Sequence, residues 1–267
     1  MNAAAARRVW GLIYRHLALY RRSWPRLIEL AYWPILQMCI WGFTAQFLAG
    51  RHAGAVTLAA GTLLGGVLLW EVALRSQMGV AVSFLEELWS RNLGHLFVSP
   101  VRPRELVAAL ILVACLRMAA GVLPAILLAW ALYAFNLFTL GPVLVIFFAN
   151  LMLMGWWVSL AVVSMLLRHG AGAEALAWSV LFGLTPLSAV FYPVSVLPAA
   201  VRPLSLALPS THVFEGMRAV MGAGVVRWDQ MGWAFGLNLL WGAAALLLFA
   251  RQFRAARRRG ALLNVGE

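Results

Sequence analysis

The sequence predicts an all-α integral membrane protein with six transmembrane helices, an N-terminal interfacial amphipathic helix and short re-entrant helices between the fifth and sixth spans. Three observations carry this prediction. The 267 residues are 63% hydrophobic and only 11% charged, and a mean hydropathy of +0.85 leaves too little polar surface to clothe a soluble domain. Apolar runs close to the ~20 residues that cross a bilayer as a helix recur along the chain. All 21 basic residues are arginine, giving a net charge of +12, and most of them border those runs. A nucleic-acid binder of this charge would expose a basic polar face, so the arginines point to membrane lipid and not to nucleic acid.

The elements follow in order. Residues 1–26 place Val9, Ile13, Leu17, Tyr20 and Trp24 on one helical face and Arg8, Arg15 and Arg22 on the opposite one. Such a helix is expected to lie on the inner leaflet with its arginines at anionic headgroups. The six runs then cover 27–48, 58–82, 106–135, 140–167, 173–191 and 231–253. They do not alternate as barrel strands would, so helices are predicted. The first run exceeds the length of a cleavable signal's apolar region and is expected to stay in the mature chain. Residues 27–253 therefore form a single transmembrane domain, and 254–267 a basic tail.

Arginine distribution sets the orientation. With the N-terminus in the cytoplasm, fifteen arginines fall on inner segments and four on outer ones, which favours both termini inside. Arginine in place of every lysine is a habit of GC-rich bacterial genomes, so the inner (cytoplasmic) membrane of a bacterial cell is the expected location. Cys39 and Cys115 both fall inside spans and support neither a disulfide framework nor a metal site.

Three segments depart from plain spans. The loop 83–105 carries Glu87 and Arg91 at i, i+4, which supports a short helix ended by Asn92 and Gly94, followed by apolar Leu96, Phe97 and Val98. A cytoplasmic loop this apolar suits a protein partner. The outer segment 193–222 is cut by Pro193, Pro198, Pro203 and Pro209 into pieces too short to cross, so they lie along the membrane or re-enter it. Glu29, Glu71, Arg75 and Arg117 fall within spans. Glu71 and Arg75 are spaced for an intramembrane ion pair, whereas Glu29 and Arg117 lie near enough to the inner interface to snorkel.

Catalytic chemistry is not predicted. The five histidines are scattered, Asp229 is the single aspartate, and neither H-E-x-x-H nor G-x-S-x-G occurs. With no lysine, a phosphate-binding G-x-x-x-x-G-K-[S/T] loop is impossible, so any nucleotide-driven work belongs to another subunit. An ion- or proton-coupled secondary transporter is the alternative, with helices broken at Pro34, Pro124 and Pro186 around a site.

The stretch from Glu86 to Glu105, together with Phe191-Tyr-Pro-Val-Ser-Val-Leu-Pro198 and Leu208-Pro-Ser-Thr-His-Val-Phe-Glu-Gly-Met-Arg218, resembles the membrane subunit of type-2 ABC exporters. Where many members carry Asn-Pro, this chain has Leu208-Pro209. The resemblance implies a permease that encloses a translocation path with a second copy or a paralogue, driven by a separate ABC ATPase subunit that binds ATP and Mg. The permease itself would hold no cofactor, no metal and no catalytic residue. Glu86, Glu87, Trp89, Arg91, Asn92, Leu93, His95 and Leu96 would seat in the ATPase. Tyr192, Pro193, Pro198, Pro209, Glu215 and Arg218 would belong to a re-entrant outer gate.

Overall fold

The computed structural model describes residues 3–21, 24–49, 55–89 and 103–258. Among them the chain forms α1 (Ala3–Arg21), α2 (Trp24–Ala49), α3 (Ala55–Trp89), α4 (Pro103–Tyr133), α5 (Val143–His169), α6 (Ala175–Leu184), α7 (Arg202–Leu206), α8 (Pro209–Ala223) and α9 (Trp228–Arg258), with no strand. Four stretches are long and apolar enough to cross a membrane: Ala59–Glu86, Ala108–Tyr133, Val143–His169 and Trp228–Ala256. They fall on the second, third, fourth and sixth predicted runs. The first run forms α2.

The fifth run is not one continuous helix. Its α6 has ten residues, a rise of about 15 Å against a hydrocarbon core of ~30 Å. Beyond it the backbone tightens into a 3-10 turn at Thr185–Leu187. Pro186 has no N–H to give an α-helical ladder, and Ala189 then reverses the chain at a φ of 54°. Apolar content alone does not register either event.

Helix α3 is the centre of the bundle. Leu68, Leu69, Val72 and Ala73 are fully buried, and α2, α4, α5, α6 and α8 all pack against it. Close approach depends on missing side chains. A Cβ on Gly155 of α5 would lie 2.7 Å from the Ala73 carbonyl oxygen and 2.9 Å from the Gln77 nitrogen; one on Gly79 of α3 would lie 2.8 Å from the Ala114 Cβ of α4. Lipid tails are as apolar as the helix surfaces, so such backbone-level packing and interhelical hydrogen bonds hold membrane helices together. Gln77 adds one of those bonds, donating its Nε2 to the Ala177 carbonyl of α6 at 2.9 Å.

Helix α9 is tied along α5 by polar groups. Asn238 donates Nδ2 to the Asn150 carbonyl at 3.0 Å and to Asn150 Oδ1 at 3.1 Å, and its Oδ1 accepts from Trp157 Nε1 at 3.0 Å. The far side of α9 exposes Leu239, Leu240, Leu246 and Leu247, a surface suited to lipid.

Helix α1 differs from the sequence expectation. Val9, Leu12 and Ile13 are buried against Phe84, Leu85, Ala109, Val113 and Leu166, so Val9 and Ile13 of the face expected on lipid lie on protein, while Leu17 stays exposed. Trp10 and Tyr14 are exposed beside it. Arg8 faces Glu105 of α4, with Nη2 to Oε1 at 2.7 Å and Nε to Oε2 at 2.9 Å. Trp24 belongs to the next helix, because Pro25 is tolerated in the first turn of α2 but not inside a continuous α1. Tyr20 has no described side chain, and Arg22 and the tail from 259 onward lie outside the described residues.

The packing at Gly155 makes a direct prediction. Gly155→Leu must push α5 away from α3, at a cost of about 1–3 kcal/mol or more. In detergent the variant should melt several degrees below the wild type by fluorescence-detected size exclusion, whereas Gly172→Ala, whose Cβ meets nothing within 4 Å, should melt close to wild type.

Candidate functional site

The end of α3 carries the first group of residues. Ser83 to Trp89 are not a separate loop element; they are the last turns of α3 itself. Trp89 is half exposed there. Glu87 sits in the same helix without a described side chain, and Arg91, Asn92, Leu93, His95 and Leu96 lie outside the described residues.

Glu86 meets Arg117 of α4, Nη2 to Oε2, at 3.1 Å. Helical Cα–Cβ bonds tilt toward the N-terminus. Because α3 and α4 run antiparallel, Glu86 leans back along α3 while Arg117 leans toward Pro103, and the two converge. Arg117 is thus buried against a carboxylate and is not a lone snorkelling residue. At the other side of the 90–102 segment, the buried Glu105 takes the bidentate contact from Arg8. The carboxylates on both sides of this segment are therefore each bound by an arginine of another helix.

One helical turn fixes the next pair: Arg75 Nε donates to Glu71 Oε2 at 3.1 Å within α3. Between α2, α3, α4 and α6 opens a cavity of about 330 Å³ bordered by Glu29, Arg75, Glu86, Arg117, Trp89 and Trp178. Sequence reading separated these residues into a docking group, an ion pair and two snorkelling charges. The structure brings them around one space.

The segment 189–194 is organised by a single guanidinium. Arg218 of α8 donates Nη2 to the carbonyls of Ala189, Val190 (3.2 Å) and Tyr192 (2.9 Å), while Nη1 lies 3.4 Å from Glu215 Oε1. Glu215 Oε1 in turn accepts the Val194 N–H at 2.8 Å. Irregular backbone near membrane depth needs such partners. Burial pulls the Arg218 pKa below the ordinary arginine value, and the Glu215 carboxylate pulls it back up.

The prolines set the corners. Pro193 precedes the 3-10 turn Val194–Val196, Pro198 follows it, and Pro209 opens α8 in the first turn, where its missing N–H costs nothing. Tyr192 donates its hydroxyl to the Pro186 carbonyl at 2.6 Å. Sequence reading overlooked His212, whose Nε2 lies 2.9 Å from the Leu206 carbonyl oxygen and Nδ1 2.7 Å from Gln230 Oε1, linking α7, α8 and α9. A lone histidine among apolar residues gave no signal of those partners. No group of three or more His, Cys, Asp or Glu suited to a metal ion occurs among the described residues.

The family model of the ABC-2 type transporter matches residues 7–221, which contain α1 through most of α8 and both charged regions. No curated protein matches the chain at a significant level. With four-fifths of its length in that match and its helices apolar enough to span a bilayer, the chain belongs to the ABC-2 type transporter family and is the membrane-spanning permease component of an ABC transporter.

Proposed function

We propose that this permease serves an ATP-driven exporter, coupled through segment 83–105 to a separate ABC ATPase subunit that binds ATP and Mg. Two permease copies, or this chain and a paralogue, enclose the path at their interface. The chain crosses a bacterial inner membrane six times with both termini in the cytoplasm. Helix α2 is the first crossing, and α6 with its flanking 3-10 turns is the fifth.

The observation that carries this reading is the pair of arginine contacts on either side of the segment. Glu86 is held to α4 through Arg117, and Glu105 to α1 through Arg8. A load applied to the segment by a closing ATPase dimer passes into three helices at once, which suits rigid-body switching of packed elements. Trp89, half exposed at the end of α3, is an anchor of the aromatic type that dominates docking interfaces. Glu86, Glu87, Trp89, Arg91, Asn92, Leu93, His95 and Leu96 form the docking group.

On the outer side, Tyr192, Pro193, Pro198, Pro209, Glu215 and Arg218 form a re-entrant gate. The Arg218 contacts bind residues 189–194 to α8, so gate and helix move together. Glu71 and Arg75 neutralise each other within the bundle, a structural role that lets two ionised groups sit inside the span.

Two outcomes are expected. A variant carrying Glu87→Lys, Arg91→Glu and Trp89→Ala should insert normally yet lose the co-purifying ATPase and all transport; normal transport by the well-expressed triple variant overturns the coupling role. Arg218→Ala leaves three carbonyls to find other partners, each worth about 1–3 kcal/mol when buried and unmet. It should abolish transport while ATPase co-purification persists, and Arg218→Lys, with fewer donors and no planar fork, should rescue only partly.

A further inference from the structure

The cavity between α2, α3, α4 and α6 has a charge balance that selects its occupant. Among the described residues, the carboxylates of Glu29, Glu71 and Glu86 accompany two guanidiniums, Arg75 and Arg117. Each guanidinium lies 3.1 Å from a carboxylate of its own, Arg75 from Glu71 and Arg117 from Glu86. Glu29 is the surplus. Its side chain borders the cavity, is exposed, and makes no ion pair or hydrogen bond with a described residue.

The walls add a second requirement. Trp89 and Trp178 both border the space and both keep a large part of their rings exposed, 51% and 39%. Leu30, Met78 and Val82 supply the apolar remainder. A volume of about 330 Å³ falls at the lower end of the ~300–1,000 Å³ range of small-molecule sites.

Resting on the permease reading above, we propose that this cavity is a substrate site for a lipophilic organic cation, with Glu29 as its counter-charge and Trp178 against its apolar or aromatic body. An indole face attracts a cation most strongly of all the aromatic side chains, and the Glu29 carboxylate supplies the opposite charge. An anionic headgroup would have to compete with Glu71 or Glu86 for a guanidinium already held at hydrogen-bond distance.

The test uses the full-length permease in nanodiscs of neutral phosphatidylcholine, titrated with tetraphenylphosphonium by equilibrium dialysis. Tetraphenylborate, the anion of the same shape, is the control. Saturable binding of the cation alone is expected, weakened about tenfold by Glu29→Gln, which corresponds to about 1.4 kcal/mol, and about fivefold by Trp178→Ala, with Glu29→Asp retaining most of the affinity. Equal binding of the anion, no saturable binding of the cation, or wild-type affinity in a Glu29→Gln protein that melts normally would overturn the proposal. If Glu29→Gln does not fold, Trp178→Ala decides on the same titration. ATPase co-purification from the same wild-type membranes separates the two readings: an ATPase present without cation binding removes the substrate assignment alone, and an ATPase absent removes the permease coupling on which it rests.

Discussion

Five helices of this permease, α2, α4, α5, α6 and α8, are positioned by how closely each can approach α3. At Gly79 and Gly155 the backbones come nearer than any Cβ permits, and the polar groups of α3 then reach its neighbours: Gln77 to α6, Glu86 to α4. In water, burial of leucine would supply much of the association energy. In a bilayer that term largely vanishes, and short-range packing with a few interhelical hydrogen bonds has to substitute for it. The charged cavity exists because α2, α4 and α6 are gathered around one helix at that short range.

Arginine does work here that lysine would do poorly. Arg218 directs one nitrogen at three carbonyls and another toward Glu215, and Arg8 grips Glu105 with two nitrogens at once. An ammonium presents three donors about one point, whereas the guanidinium fork spreads five over a plane. Whatever the origin of the lysine-free composition, the fold uses the geometry it provides.

What could be read from the sequence was whatever one helix decides by itself. Long apolar runs announced the all-α membrane class, and the i, i+4 spacing of Glu71 and Arg75 places them together whatever surrounds them. The face of Val9 and Ile13 was legible as apolar, but not its neighbour: Phe84, Leu85 and Leu166 cover it because α1 packs beside the C-terminal ends of α3 and α5. Contacts such as Glu86 to Arg117, Arg8 to Glu105 and Asn150 to Asn238 span 31, 97 and 88 positions. They depend on which helices become neighbours and how each is rotated, and hydropathy carries neither quantity. The division of the fifth run was half legible: Pro186 marked a place where a helix could break, but Leu, Phe and Val are equally apolar in a helix and in a 3-10 turn.

The two arginine grips on either side of segment 90–102 have a mechanical consequence. A helix fastened at one point can still swing about it, whereas helices joined at two separated points move as one body. Glu86 is fastened to α4 and Glu105 to α1, so α1, α3 and α4 are joined to one another beside the helix ends that flank the segment. A tilt of any one of these helices is thereby shared with the other two, a rigid-body change of angle that leaves their packing intact.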